Sequence, residues 1–199
     1  NLTQTTWTNW SGFHKANPQQ ILQPPNIQEL QSIVRDYQKI RVVGAGHSFT
    51  PLVCTDATLV SLDRISGVAS FDVEHCQSNI YAGTRLYDLD QHLQQQYINQ
   101  ALMNQGDIDQ QSLAGAVSTG THGTGADLHC ISAYVEAFEL LTASGEILKC
   151  SRTENSEIFA AGRVSLGSLG ILTKINMQNR PRYKLKEHIQ LCPVEDMMQ

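Results

Sequence analysis

The chain has 199 residues, 41% hydrophobic and 17% charged, with 14 Lys and Arg against 19 Asp and Glu for a net charge of -5. That length suits one globular domain or two small subdomains sharing an interface, with enough residues for a sizeable core. The mild acidic balance, without a long run of either sign, argues against a nucleic-acid or anionic-membrane partner, and no apolar stretch nears the roughly 18 residues that cross a bilayer.

The N-terminal NLTQTTWTNW lacks the basic and apolar regions of a signal peptide. Trp7, Trp10 and Phe13 within and after it are expected to form a packed terminal segment. After Pro24-Pro25, Asn26 is placed to cap a helix, with Glu29 three residues on and Ile27, Leu30, Ile33, Val34 and Tyr37 at helical spacing. A short strand, Ile40 to Val43, leads directly into the loop GAGHSFT, and a second strand follows at Thr58 to Leu62. Alternating segments at Val68 to Val73 and Asn79 to Ala82 are predicted strands, and Leu86 to about Tyr97 a helix whose Gln94-Gln95-Gln96 run forms a solvated face. Gly106 to Gly125, including SLAGAVSTGTHGTG, is predicted to be a loop. Tyr134 to Leu141 and Glu146 to Cys150 flank Thr142-Ala143-Ser144-Gly145 as a hairpin, Ser156 to Ala161 is a short helix, and Gly170 to Met177 closes the domain as a strand. The order favours an α+β fold in two subdomains divided near Ser66 to Ser70.

Five cysteines, Cys54, Cys76, Cys130, Cys150 and Cys192, are odd in number and never spaced C-x-x-C. They read as reduced thiols in a cytoplasmic protein. No metal site is expected, because the neighbours His75-Cys76 and His129-Cys130 would point in different directions in a strand.

RVVGAGHSFT, residues 41 to 50, invites three familiar explanations, and each fails on a specific residue. A dinucleotide fingerprint G-x-G-x-x-G has Phe49 in place of its third glycine and no helix behind it. A Walker loop would need lysine where Thr121 follows Gly115-x-x-x-x-Gly120, and a nucleophile elbow would need glycine at Thr50. Two readings stay open: a tight glycine turn with His47 as a buried hydrogen-bonding residue, or a run of backbone amides forming an anion nest that a diphosphate can approach. The second glycine stretch adds weight to the nest. Ser112, Ser118, Thr119, Thr121 and Thr124 alternate with Gly115, Gly120, Gly123 and Gly125 around His122. Two such loops suit a large, planar, phosphorylated ligand, of which flavin adenine dinucleotide is one.

RVVGAGHSFT with TLVSLDRISGV, YAGTRLYDL, SLAGAVSTGTHGTG and LGSLGILTKI resembles the FAD-binding domain of the vanillyl-alcohol-oxidase and p-cresol-methylhydroxylase flavoproteins. Within that family the chain is most similar to the sugar-1,4-lactone oxidases of the L-gulonolactone oxidase type, with alditol oxidases close behind. The resemblance covers about residues 14 to 180.

It implies a p-cresol-methylhydroxylase-type domain of two α+β subdomains, residues 1–67 and 68–180, with FAD between them. Residues 181–199 would begin a substrate-binding domain as its first strand, so the chain reads as a piece of a longer protein. By the resemblance, Val43, Gly44, Ala45, Gly46, Ser48 and Phe49 wrap the pyrophosphate, and His47 takes the place of the histidine that many members attach covalently to the flavin 8α-methyl, a role open to a neutral imidazole. Ser112, Gly115, Ala116, Ser118, Gly120, Thr121, His122 and Gly123 would run along flavin and diphosphate, with His122 either touching the flavin or bracing its loop. Ile171, after Gly170, meets the adenine side, and Asn104 to Asp107 approach the cofactor. Ser112 is also a candidate for the substrate side of the flavin or, alternatively, a serine bonding its own backbone; the main catalytic residues are expected beyond Gln199.

The implied reaction is hydride transfer from a carbinol carbon of a gulono-, galactono- or arabinono-1,4-lactone to flavin N5, with reoxidation by oxygen. An alditol oxidase, a dehydrogenase using another acceptor, and a flavin-binding module without turnover are the alternatives.

Overall fold

The computed structural model describes residues 5–96 and 98–197. It opens with a small antiparallel pair, β1 (Trp7–Thr8) and β2 (Lys15–Ala16). Strand β3 (Gln20–Leu22), helix α1 (Ile27–Asp36) and strands β4 (Ile40–Val43) and β5 (Thr58–Ser61) follow. These three strands form a parallel sheet in the order β3-β5-β4. The middle strand, TLVS, is buried at every position, as a parallel strand covered on both faces requires. Helix α1 begins where predicted because the Asn26 side chain accepts the Glu29 N–H at 2.9 Å. It ends at Asp36, with Tyr37 already extended, and Leu30 is its fully buried anchor.

The second layer comprises β6 (Val68–Asp72), β7 (Gln77–Tyr81), α2 (Leu86–Gln95), β8 (Ala101–Leu102), α3 (Leu113–Ser118), a 3-10 turn at Ile131–Tyr134, β9 (Val135–Leu141), β10 (Ile147–Ser151), α4 (Ser156–Gly162) and β11 (Ile171–Arg180). Its sheet is antiparallel, in the order β10-β9-β11-β7-β6, with β8 added to the end of β11. The predicted hairpin is present: Thr142 N–H donates to Glu146 O at 2.8 Å, and Gly145 takes the left-handed φ of +84° that the turn needs. Strand β11 lies between β9 and β7, and its inward Ile175 and Met177 are fully buried.

Both sheets feed one continuous core, from Leu30, Val60, Leu62 and Ile65 on the parallel side to Ile80, Leu113, Phe138 and Ile175 on the antiparallel side. The fold is therefore the predicted mixed α+β type, with two layers welded along Leu62 to Gly67. There the Gly83 backbone packs against the Leu62 carbonyl so closely that any Cβ would overlap it.

Four expectations are corrected. The predicted loop Gly106 to Gly125 contains α3, because Ser112 caps a turn whose Leu113, Ala116 and Val117 share one buried face. Residues 181–193 form no strand, having no partner to pair with among the described residues, and a single turn, α5 (Val194–Met197), follows. The terminal aromatic segment is not fully packed: Phe13 is 83% exposed, touching only the edge of His14, and Trp10 is 54% exposed. The small β1-β2 pair was not predicted, since two-residue strands show no alternation. The predicted end of α2 at Tyr97 lies outside the described residues, while Gln94, Gln95 and Gln96 are exposed as expected.

Ile175→Ala should lower stability by about 2–5 kcal/mol in urea unfolding, because the cavity it leaves lies between two paired strands. Val73→Ala, at a position 71% exposed, should stay within about 0.5 kcal/mol of the parent.

Candidate functional site

Strand β4 delivers the chain from the buried Val43 into Gly44–Thr50 at the carboxyl end of the parallel sheet. A cavity of about 760 Å³ opens there, within the range of roughly 300–1,000 Å³ typical of small-molecule sites. Its walls are the Gly44–Thr50 loop, one side of α3 (Ala114, Gly115, Ser118), the β9-β10 turn at Leu141–Ala143, the Leu166–Leu172 segment and the end of α1. It therefore lies between the parallel and antiparallel layers.

The loop's backbone decides what the cavity can hold. The N–H groups of Ala45, Gly46, His47, Ser48 and Phe49 donate to no protein atom among the described residues. Amides left free at the edge of a cavity require an acceptor from solvent or ligand. The amides at the start of α3 are committed differently. Leu113 N–H donates to Thr84 O at 2.8 Å, Ala114 N–H to Ala82 O at 3.1 Å and Gly115 N–H to Ser112 Oγ at 3.3 Å. An anion is thus served by the first loop, while α3 supplies a close-fitting wall. Gly44 must be glycine, since a Cβ there would overlap the Ser112 hydroxyl, and Gly46 sits at φ +68° with the Trp7 ring 3.0 Å from where its Cβ would be. Arg35 and Arg41, both exposed, are among the lining residues, whereas the lining carboxylate Asp63 is paired with Arg85.

His47 lines the cavity and stacks on Trp10, with ring centroids 5.2 Å apart and planes at 11°. His14, His75 and His122 each use a ring nitrogen in a hydrogen bond; His47 uses neither among the described residues. Its ring is held flat and its nitrogens are left open.

Of the sequence-predicted residues, Val43, Gly44, Ala45, Gly46, His47, Ser48, Phe49, Ser112, Gly115, Ser118 and Ile171 meet at this cavity. Ala116, Gly120, Thr121, His122 and Gly123 are not on its lining. Ala116 is fully buried on the core side of α3. Beyond the helix the chain turns away: Thr121 Oγ1 accepts from Gln111 Nε2 at 3.0 Å, His122 Nδ1 lies 2.9 Å from Gly123 O, and Gly123 backs onto Asn104. Asn104 to Asp107 are likewise off the lining, and the Asn104 amide donates to His129 O at 3.1 Å. Ser112 is 4% exposed and lines the cavity, and its hydroxyl oxygen accepts the Gly115 N–H at 3.3 Å, the backbone-bonding role. Sequence reasoning missed Leu166–Leu169 and the hairpin turn Thr142-Ala143. The first carried a signal in the glycines of LGSLG, where Leu166 and Gly167 take φ of 54° and 74°; the second carried none beyond its turn residues.

Residues 18–151 match the family model of the FAD binding domain. The chain belongs to that FAD-binding family. The L-gulono-1,4-lactone dehydrogenase of Mycobacterium tuberculosis is 35% identical over 188 residues, 92% of this chain and 43% of that protein. The L-gulonolactone oxidase of Bos taurus is 33% identical, over 90% of this chain and 41% of the relative. The D-arabinono-1,4-lactone oxidase of Yarrowia lipolytica is 38% identical, over 88% and 35%. The chain thus spans about two-fifths of the length of these relatives. A solved chitooligosaccharide oxidase shares the fold, with a TM-score of 0.72 at 23% identity over 82% of this chain and 36% of that one.

The cofactor of this FAD-binding domain is FAD, and the cavity fits it chemically. Free amides and two guanidiniums suit a diphosphate, and Leu62, Leu141, Ile171 and Leu172 give apolar walls for ring systems. Gly44→Ala should weaken FAD binding about tenfold or more, equivalent to 1.4 kcal/mol, in a flavin-fluorescence titration, by driving the loop from α3. Adding Ser112→Gly removes the clashing hydroxyl at little capping cost and should recover most of the affinity.

Proposed function

We propose that this domain holds the flavin of an oxidoreductase acting on the CH–OH group of a sugar-1,4-lactone, of gulono-, galactono- or arabinono-lactone type. The supporting observation is the cavity at the GAGHSF loop in a chain 33–38% identical to proteins named as gulono- and arabinono-lactone oxidases or dehydrogenases. When bound, FAD supplies a two-electron acceptor for the hydride of the carbinol carbon. The chain's own contribution is to bind and orient. The Ala45–Phe49 amides would hydrogen-bond the diphosphate, the α3 wall would bound its approach, and the apolar side of the cavity would keep water from the rings. Groups that hold the lactone and take its hydroxyl proton are assigned to the rest of the protein, outside the matched region.

His47 is proposed to carry the flavin covalently, which its open ring nitrogens and its place on the lining support. The five free thiols support a reducing, cytoplasmic setting. Oxygen is the acceptor proposed first; the name of the mycobacterial relative favours a dehydrogenase as the second reading.

Two measurements check this. On the full-length protein with L-gulono-1,4-lactone, peroxide release identifies the oxidase and dye reduction without peroxide identifies the dehydrogenase; no turnover of any 1,4-lactone contradicts the substrate class. After acid precipitation the parent should keep yellow flavin in the pellet, and His47→Ala should release it to the supernatant. A mutant still holding acid-stable flavin would remove His47 from the role.

A further inference from the structure

The N-terminal β1-β2 segment sits directly on the cofactor loop, and its contacts are selective. Trp10 N–H donates to Gly46 O at 3.2 Å, Asn9 Nδ2 donates to Ser48 O at 3.2 Å, and a His14 Nε2–H donates to Phe49 O at 2.8 Å. Each bond grips a carbonyl, never an amide. In a trans peptide the C=O of one residue and the N–H of the next point in opposite directions, and the described residues contain no cis peptide. Drawing the Gly46 and Ser48 carbonyls toward the hairpin therefore aims the His47 and Phe49 N–H groups the other way, out of the hairpin. Trp10 adds its stack on the His47 ring.

Asn9 is the hub. It is 4% exposed, and its Oδ1 accepts the His14 N–H at 2.9 Å while its own N–H donates to His14 O at 3.0 Å, so one residue closes the hairpin and reaches across to the loop. A buried amide with this many partners is not there by packing alone.

We propose that the N-terminal hairpin is a clasp for the GAGHSF loop, with Asn9 as the positioning residue that turns the His47 and Phe49 amides toward an anionic cofactor. The proposal rests on the reading that this loop receives the diphosphate.

The test uses Asn9→Ala and Asn9→Asp in the intact protein. Asp keeps the Oδ1 acceptor that closes the hairpin at His14 N–H, loses the Nδ2 donor to Ser48 O, and turns the Ser11 Oγ contact into one that the Ser11 hydroxyl can donate. Both variants should weaken FAD binding about tenfold or more. Without flavin, both should speed chymotryptic cleavage after the exposed Phe49 about fivefold, a readout that repulsion between the Asp carboxylate and the cofactor's phosphates cannot move. Asn9→Asp that binds FAD as the parent does would overturn the clasp and leave Asn9 a role within the hairpin only. A parent that binds no FAD would instead overturn the cavity reading, and the cleavage rate after Phe49 in the flavin-free protein would then decide the clasp by itself: faster in Asn9→Asp upholds it, unchanged rejects it.

Discussion

A run of backbone N–H groups with no protein acceptor is the constraint on which this structure turns. The N–H groups of Ala45 to Phe49 donate to no protein atom among the described residues, beside a cavity of about 760 Å³. Such a loop is stable only if its shape is imposed from outside. Here it is imposed from three sides: the buried end of β4 before it, the Gly44–Ser112 contact with α3 beneath it, and the N-terminal hairpin gripping its carbonyls. Preorganisation of this kind places donors before the ligand arrives, so that binding need not reorder them.

The two sheets make that arrangement rigid. A buried parallel strand, β5, positions the loop at the carboxyl edge, where α/β sheets gather ligands. The antiparallel sheet supplies the opposite wall through α3, the β9-β10 turn and the approach to β11. Because both layers share one hydrophobic core, the walls cannot move apart without exposing Leu62, Leu113 or Leu141. A close backbone contact locks the seam between them at Gly83, whose Cβ would overlap Leu62 O, and a similar contact at Gly170, where a Cβ would stand 2.5 Å from Leu141 O, fixes the start of β11 against β9 within the antiparallel layer.

Much of this was legible in the sequence, for physical reasons that differ by element. Helix α1 was readable from Asn26, Glu29 and its apolar spacing, and the β9-β10 hairpin from Thr142 to Gly145, because both depend on local chemistry. Elimination at Phe49 and Thr50 left the first loop either a glycine turn or an anion nest, and its role toward FAD was legible only through the family resemblance. Helix α3 was hidden because Gly115 and the flanking hydroxyls mimic a loop, and the Ser112 cap together with burial of Leu113, Ala116 and Val117 makes it helical. α3 carries Ser112, Gly115 and Ser118 to the cavity, while Gly120 to Gly123 lie off its lining. The hairpin clasp was illegible, because Asn9 and Ser48 are 39 residues apart and nothing in either neighbourhood announces the bond.

The central claim is that the open amides of one loop hold the cofactor. Residue-resolved amide hydrogen exchange with and without FAD tests it most directly. The account predicts that exchange at His47 and Phe49 slows by about tenfold or more when FAD binds, while Gly120 to Gly123 stay as they were. Slowing confined to Gly120–Gly123, with His47 and Phe49 unchanged, would contradict it.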